Sequence, residues 1–249
     1  SPIFCFRQWH RHRTWSFSEY SGRYSEMIDS CEVTDKWRVQ STINKQGSGT
    51  DDIKWPENFN IPSDYYNENK ELVSYTPDLY LSNQEKQLQK QCRAYYEERL
   101  AFGVAKEQAR KELPVSNYSE MYAKVDLKNL LHFISLRSDS HAQLEIRLYS
   151  DILAGIVREL FPITFEAWKD YQFNAVRFSR MEVSLLNFQM QLKNSQNPAI
   201  NDRDLIVAKA VELGMSKREI EEFASKLEVK PEQDFSLDQY EVYSPNVEI

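Results

Sequence analysis

The sequence predicts an α/β protein of the α+β type, with a mainly antiparallel sheet flanked by helices. Three observations lead to this prediction. The start of the chain is rich in β-forming residues, and helical patterns with clear start and stop signals dominate from residue 82 onward. Between them, residues 25–81 carry prolines and glycine–asparagine clusters that are typical of a long irregular insertion. A C-terminal helical hairpin completes the predicted architecture.

The strand predictions depend on β-propensity. The segment IFCFRQW at 3–9 is rich in aromatic and aliphatic residues. A turn is expected at Gly22, and only short stretches of the insertion resemble strands. Strands are therefore predicted at 3–9, 37–41 and 71–75.

The helix predictions in the middle of the chain depend on capping signals. Ser82 and Glu85 match a capping box, and Asp126 is a suitable N-cap. Ser140 begins the most apolar helix, and Pro162 ends it. Because the apolar residues of that helix occupy more than one side, we expect it near the centre of the molecule. Helices are predicted at 83–102, 105–113, 127–136 and 140–160.

The C-terminal part has a different character. A helix at 177–193 and a polar linker at 194–201 precede a helical hairpin. Asp202 is the expected N-cap of the first hairpin helix, Gly214 ends it, and Ser216 with Glu219 caps the second. The last 22 residues hold six acids and one lysine, which is typical of a solvated tail.

The composition excludes several classes of protein. Only six of the 249 residues are glycine, and no dinucleotide fingerprint or P-loop is present. The three cysteines form no CxxC pair, so neither a zinc knuckle nor a disulfide framework is expected, and a reducing cytoplasm is the expected location. No apolar run approaches the length of a membrane span and no signal peptide is visible, so no membrane association is expected.

Positive charge is concentrated in two blocks, although the chain carries a net charge of −7. Residues 1–24 contain four arginines and a single acid, Glu19. All four histidines lie in residues 10–12 or 132–141, and each of these blocks is accompanied by arginine. Arginine forks bind phosphates and planar heteroatom edges. The sequence therefore predicts a site for a small phosphorylated ligand with a flat ring.

Other interpretations of the histidines remain open at this point. The run HRHR at 10–13 suits a surface patch that binds nucleic acid, although the acidic total disfavours one. His10 and His12, two apart on a strand, have the spacing of metal ligands, but the interleaved arginines would repel a cation and we expect no metal. A hydrolase that uses His12 and Ser21 is a further alternative. His141 is interpreted as structural, in the first turn of its helix.

Two long blocks carry a specific resemblance. Arg11-His12-Arg13, seven residues and then Ser21 resemble the RHR-x7-S signature of flavin-dependent thymidylate synthases. The whole stretch 7–24 is similar to that family, and so is the block NLLHFISLRSDSHAQLEIRLYSDI at 129–152. The spacing of Arg110, Pro114 and Asp126 between the blocks also fits. The resemblance covers roughly residues 1–172.

This resemblance implies an activity and its cofactors. The family makes thymidylate from dUMP, with methylenetetrahydrofolate as carbon donor and with FAD, reduced by NADPH, as hydride donor. It implies a homotetramer with sites at the subunit interfaces. The resemblance also implies a catalytic domain at 1–172, with the helical extension at 173–249 outside it. The family has an upstream portion with flavin contacts, so we expect this chain to lack the N-terminal part of the domain.

The resemblance also assigns site residues. Arg137 matches the arginine that polarises the uracil ring, and Ser21 is expected to bind and polarise rather than to attack. The residues matched to dUMP contacts are Gln8, Trp9, His10, Arg11, Glu19, Tyr20, Ser21, Gly22, Arg23, Arg110 and Arg137, with Arg110 expected from a neighbouring subunit. The residues matched to FAD contacts are Arg11, His12, Arg13, Asp126, Leu127, Lys128 and His132.

Overall fold

The computed structural model describes residues 1–42, 47–61, 76–139, 141–194 and 202–228. Ser1–Ile156 belong to one compact unit, and a second unit begins at Val157. Helices and small antiparallel strand pairs alternate in the first unit, and the described part of the second is helical. The α+β prediction is therefore confirmed. The predicted strand at 71–75, most of the linker at 194–201 and the acidic tail lie outside the described residues.

The first element corrects a strand prediction. Residues 3–9 form helix α1 (Ile3–Trp9) instead of a strand. Cys5, Phe6 and Trp9 are buried at helical spacing, while Arg7 between them is exposed. Burial of one helical face thus outweighs the β-propensity of the aromatic residues. As a result, His10 and His12 do not share a strand face: His10 is exposed and His12 is buried.

Two short antiparallel pairs supply the sheet structure of the first unit. Strand β1 (Ser16–Glu19) pairs with β4 (Met121–Lys124), with Ser16 opposite Lys124. Strand β2 (Arg38–Gln40) confirms the strand predicted at 37–41 and pairs with β3 (Ser48–Asp52). Each pair forms a separate two-stranded sheet.

Helix α2 (Pro77–Ala101) begins six residues before the predicted start. Its N-cap is Thr76, whose side chain accepts a hydrogen bond from the Leu79 amide, and Pro77 occupies the first turn. Ser82 is therefore an interior residue rather than a cap, and its hydroxyl donates to the Thr34 carbonyl. The capping box read from Ser82 and Glu85 was wrong because those side chains bind another segment of the chain.

That segment, residues 27–37, is bound to α2 by polar contacts. The Trp37 amide donates to Asp78 at 2.7 Å, and the Thr34 amide donates to Glu85 at 2.8 Å. Further along, the Gln89 side chain donates to the Glu32 carbonyl and the Arg93 side chain to the Met27 carbonyl. The α2 residues of this polar ladder are Asp78, Ser82, Glu85, Gln89 and Arg93. These bonds satisfy the backbone of a segment that has little regular structure of its own, and they bring the chain to β2.

Helix α4 (Leu127–Arg137) begins and ends close to the predicted residues. Asp126 is its N-cap, as predicted, and accepts from the Asn129 amide at 3.0 Å. The helix predicted at 105–113 is also present, as α3 (Lys106–Ala109) and a 3₁₀ turn (Arg110–Glu112). Together with β4, these elements lead the chain to Arg137.

Helix α5 (Leu144–Leu160) begins four residues later than predicted. Asp139 does not cap it, because its carboxylate accepts from the His141 amide and forms a turn before the helix. Ile146, Ala154 and Val157 are buried, but Ile152 and Ile156 are 44% and 47% exposed. One apolar face of this helix is therefore uncovered in the single chain, contrary to the expectation of a central helix.

The second unit contains helices only among its described residues. They are α6 (Pro162–Trp168), a π-helical turn (Lys169–Phe173), α7 (Arg180–Asn194), α8 (Asp202–Glu212) and α9 (Lys217–Leu227). Gly214 has φ +84° after α8, and Ser216 with Glu219 forms the predicted capping box of α9. One buried apolar cluster of this unit consists of Leu185, Ala210, Met215 and Phe223. The predicted hairpin is thus confirmed.

None of the helices in the described part of the chain has the length and apolar character that crossing a membrane requires.

Candidate active site

Arg137 is the centre of the site because three hydrogen bonds fix its guanidinium group. Nε donates to Nε2 of His12 at 3.0 Å, and Nη1 donates to Oε1 of Gln8 at 3.0 Å. Nη2 donates to the Gln8 carbonyl at 3.3 Å. Gln8 is on α1, His12 follows α1, and Arg137 is the last residue of α4. We refer to Gln8, His12 and Arg137 as the Arg137 cluster.

Aromatic packing behind the cluster holds α1 against α4. The Trp9 ring stacks on Phe133 at a centroid distance of 4.5 Å, and the His12 ring meets Phe133 edge-on at 4.7 Å. Trp15 lies 5.1 Å from the same Phe133 ring. Phe133 is one helical turn before Arg137, so this packing fixes the segment that carries the arginine. Trp9, predicted as a nucleotide contact, is a core residue here.

The electrostatics of the cluster favour a neutral histidine. Burial, followed by the charges of Arg137 and His132, lowers the pKa of His12 to about 4. His12 is only 7% exposed. Burial and the charge of Arg11 also lower the pKa of Arg137, but a guanidinium stays cationic in proteins. The cluster thus combines one fixed cation with a neutral ring.

A cleft of about 390 Å³ opens beside this arginine. Gln8 and Arg137 line one part of it, residues 38–40 and 47–48 of the β2–β3 hairpin line another, and residues 141–143 line the third. Arg38 is fixed there by an ion pair with Glu145 at 2.6 Å. Burial is the largest influence on the pKa of Glu145 and raises it, but the hydrogen bond and charge of Arg38 together with further hydrogen bonds lower the pKa overall.

Several of these lining residues were not found by sequence reasoning. Arg38 and Gln40 lie in the insertion, where no motif marked them. His141 was interpreted as structural, and its ring does pair with Asp139 at 2.7 Å, yet it also lines the cleft. Gln143 accepts from Nε2 of Gln8 at 3.4 Å and thereby orients that amide. The signal that could have marked Gln143 was its position inside the second motif block.

A second group of predicted residues lies in the turn after β1, which we call the 20–25 turn. The amides of Tyr24 and Ser25 donate to the Ser21 carbonyl, and the Arg23 amide donates to the Ser21 hydroxyl at 3.4 Å. Arg23 is 56% exposed and pairs with Glu107 at 3.2 Å. Glu19 is exposed at the end of β1.

Gly22 brings Arg110 to this turn. A Cβ atom at Gly22 would lie 2.2 Å from the Met27 sulfur and 3.2 Å from Cδ of Arg110. A side chain at position 22 would therefore require the Met27 side chain to move, and Arg110 lies beside the turn of its own chain. Tyr20 is tied to the same loop by a hydrogen bond from its hydroxyl to the Glu26 carbonyl at 2.7 Å.

The residues predicted to contact flavin are four exposed basic residues, one helix cap and two residues that are buried or partly buried. Arg11, Arg13, Lys128 and His132 are exposed, and the last two lie one turn apart on α4. Asp126 is used as a cap, since its two carboxylate oxygens accept from the amide and the side chain of Asn129. His12 is buried and bound to Arg137, and Leu127 is partly buried.

This geometry argues against the two alternative interpretations. The run at 10–13 is not a continuous basic surface, because His12 is buried and its depressed pKa keeps it neutral. A hydrolytic role would need a histidine nitrogen that takes a proton from Ser21. Nε2 of His12 instead accepts from Arg137. Arginines held in a cleft and beside a tight turn are groups suited to an anionic planar ligand, and they need no glycine loop.

Comparison with known proteins shows the family of this chain. Residues 1–163 match the family described as thymidylate synthase complementing protein. The chain is 34% identical over 227 residues to a flavin-dependent thymidylate synthase of Dictyostelium discoideum, covering 90% of this chain and 61% of that protein. It is 35% identical over 188 residues to the Wolbachia pipientis wMel protein of the same name, covering 74% and 58%. The chain therefore belongs to the thymidylate synthase complementing protein family.

A solved structure is similar as well. The UMP/dUMP methylase PolB from Streptomyces cacaoi, bound with 5-Br dUMP, matches with a TM-score of 0.51 and 29% identity. The match covers 68% of this chain and 67% of that chain. The chain thus spans about three fifths of the length of the two curated relatives and two thirds of this structure.

Proposed function

We propose that this protein is a flavin-dependent thymidylate synthase, which converts dUMP to dTMP by reductive methylation. The observation that carries the proposal is the guanidinium of Arg137, held by His12 and Gln8 at the edge of a cleft. The names of the curated relatives and the nucleotide bound to the similar methylase support the same substrate class.

Arg137 would act on the pyrimidine ring. A fixed cation beside the ring stabilises negative charge that develops on its nitrogen and oxygen atoms, and this concentrates electron density on the ring. Three of the five N–H groups of the guanidinium bond to protein, and the other two are available to acceptors on a planar ligand. Arg137 would therefore bind and polarise the substrate in the same contact.

The 20–25 turn would bind the nucleotide phosphate. Arg23 and Arg110 supply guanidinium groups at the turn. Glu19, Tyr20 and Ser21 border the same turn, and Ser21 would bind the nucleotide without forming a covalent bond. The proposed dUMP contacts are Gln8, His10, Arg11, Glu19, Tyr20, Ser21, Gly22, Arg23, Arg110 and Arg137.

The exposed basic residues fit a flavin dinucleotide. Arg11, Arg13, Lys128 and His132 would bind its pyrophosphate, because exposed guanidinium, ammonium and imidazole groups suit that anion. When bound, FAD supplies a hydride, NADPH reduces it, and methylenetetrahydrofolate supplies the carbon. The residues of this chain hold the ligands and stabilise charge on the ring.

Assembly as a homotetramer is part of the proposal. Ile152 and Ile156 are one helical turn apart on α5 and both are exposed in the single chain. Such an apolar stripe suits packing against another copy. In this arrangement the catalytic domain is proposed to extend to residue 172, and residues 173–249 are an extension whose role this proposal does not require.

One experiment tests the function directly. The intact protein is purified, its absorbance is scanned for bound flavin, and NADPH oxidation is followed with and without dUMP and methylenetetrahydrofolate. We expect a yellow protein, oxidation that depends on dUMP, and dTMP as product. A colourless protein that takes up no added FAD, or one that forms no dTMP when flavin is bound, would exclude the proposal.

A further inference from the structure

The hydrogen bonds of Arg137 are unevenly distributed. Nε has a single N–H, and it is used by His12. Each terminal nitrogen has two, and each gives one to Gln8. The two N–H groups left over lie on Nη1 and Nη2, and Arg137 lines the cleft. Where these two groups point depends on the rotation of the guanidinium plane.

The bond to His12 controls that rotation. The bonds to Gln8 hold the terminal nitrogens, but both go to the same residue. The bond from Nε approaches from a different residue and defines the plane. If its acceptor is removed, a half-buried N–H has no partner, and the group rotates to satisfy it. The two free N–H groups then point elsewhere.

The His12 ring is fixed in the orientation that this hydrogen bond requires. Its ring is buried and packs edge-on against Phe133, so it has little freedom to turn. Because Nε2 accepts the bond, the ring proton must be on Nδ1. Arg137 and His132, both on α4, are the charged or titratable groups that act on the ring, and both favour its neutral form.

We propose that His12 is a positioning residue, which sets the guanidinium plane of Arg137 so that its two free N–H groups meet the pyrimidine ring of the substrate. This proposal rests on the proposed function, since it assigns a ligand to Arg137. It differs from the flavin contact that the family resemblance implied for His12, because the side chain is buried and its accepting nitrogen is bound within the protein.

Two substitutions of the same residue provide a matched test. In His12→Gln the side-chain oxygen reaches the position of Nε2 and can accept from Arg137. In His12→Asn the shorter amide reaches only the position of Nδ1. We expect His12→Gln to retain kcat within about threefold, and His12→Asn to lose roughly 10- to 100-fold, as small misplacements of a catalytic group do. Equal losses in both variants would overturn the proposal.

A double-mutant cycle separates positioning from a general structural role. If His12 acts through Arg137, then His12→Asn should weaken binding of dUMP to the flavin-free protein in the wild-type background, measured by calorimetry. It should have almost no further effect in an Arg137→Lys background. Additive losses would mean that His12 acts independently and would contradict the proposal. FAD affinity should be the same in both His12 variants, whereas a flavin contact predicts that it falls in both.

A spectroscopic measurement makes the test independent of turnover. Nitrogen NMR of the wild-type protein should show a neutral His12 ring with its proton on Nδ1 and an Arg137 Nε–H protected from exchange. A ring protonated on Nε2 would overturn the inference even if the enzyme is active. Conversely, the predicted spectrum in a protein that makes no dTMP would support the inference about His12 and reject only the proposed reaction.

Discussion

The Arg137 cluster and the 20–25 turn both carry arginines of the predicted site, but they hold them in different ways. Arg137 is fixed by the three hydrogen bonds that it donates to a buried histidine and a glutamine, over an aromatic core. Arg23 is 56% exposed and pairs with a single exposed acid. The first arginine is oriented before any ligand binds, whereas the second can exchange its partner for a ligand.

The difference has an energetic reason. A cation that polarises a reacting ring is most effective when no free energy is needed to reorient it during the reaction. This requires that its hydrogen-bond partners are fixed beforehand. A cation that binds a phosphate needs only to reach the phosphate and does not need a fixed orientation. A surface ion pair contributes under about 1 kcal/mol, so a ligand can easily replace it. This difference matches the two proposed roles, polarisation of the ring by Arg137 and phosphate binding by Arg23. Four predictions test this comparison.

The largest effect is expected for Arg137→Lys. Lysine keeps the charge but cannot bond to His12 and Gln8 while presenting two further N–H groups to a planar ligand. We expect kcat to fall by about 100- to 1000-fold, the size of the loss when one transition-state donor is removed. Steady-state dTMP formation measures it. Arg218→Lys, an exposed arginine of α9, is the matched control and should be silent. Activity within threefold of wild type would show that catalysis does not depend on the planar guanidinium group of Arg137.

The next prediction concerns the stability contributed by His12. Its folded pKa of about 4 lies below the ordinary 6.5, so the unfolded chain binds the proton more readily. The contribution of His12 to the free energy of unfolding is fully present above about pH 6.5 and decreases as the pH falls toward 4. The total decrease is at most about 3 kcal/mol. Urea unfolding of wild type and His12→Gln at about pH 7 and about pH 4.5 measures it.

The difference between the two proteins is the useful quantity. Burial raises the pKa of Glu32 to about 7, and this opposes His12 across the same pH range. Because Glu32 is present in both proteins, its effect cancels in the comparison. A stability difference that does not change with pH would contradict the burial of a neutral His12.

A smaller effect is expected for Gly22→Ala in the 20–25 turn. The added Cβ would lie 2.2 Å from the Met27 sulfur, so Met27 and Arg110 must move. We expect a loss of about 1–3 kcal/mol in the free energy of unfolding and weaker dUMP binding. Removing the obstructing side chain, in Gly22→Ala with Met27→Ala, should restore part of the affinity.

The control for this variant is Gly103→Ala. No atom lies within 4 Å of a Cβ there, but φ is +77°, so only backbone strain of about 1–2 kcal/mol is expected. Its dUMP affinity should equal that of wild type. If Gly103→Ala weakens dUMP binding as much as Gly22→Ala does, the loss reflects stability alone and not the packing of Arg110.

The smallest effect on stability is expected for Arg23→Ala. The lost ion pair is exposed, so the unfolding free energy should change by less than about 1 kcal/mol. Affinity for dUMP should fall roughly tenfold, because a charge-assisted bond to phosphate is removed. Glu107→Gln removes the other partner and should leave affinity unchanged or raise it. Unchanged dUMP affinity in Arg23→Ala would show that the 20–25 turn does not bind the phosphate.

The sequence-based predictions were most accurate for features that depend on local hydrogen bonds. The cap at Asp126, the capping box of Ser216 and Glu219, and the end of α8 at Gly214 each depend on residues a few positions apart. These were correct because the same interactions form in any helix that starts or ends there. The motif blocks likewise marked the two ends of the Arg137–His12 contact before the contact itself was visible.

The sequence failed where distant residues compete for a segment. The aromatic stretch 3–9 suits a strand or a helix, and it forms a helix that buries Cys5, Phe6 and Trp9, with Trp9 stacked on Phe133. Ser82 and Glu85 match a cap but bind residue 34, about fifty positions away. Arg38 lines the cleft directly after the polar ladder has bound the irregular segment along α2.

The sequence by itself therefore determined the fold class, the family resemblance and those helix ends that depend on local caps. The tertiary structure alone decided that α1 is a helix, that His12 accepts from a residue 125 positions away, and that the β2–β3 hairpin lines the cleft. The physical reason is the range of the interactions. Caps and turns close over three or four residues, whereas the orientation of Arg137 depends on buried contacts between elements that meet only in the folded chain.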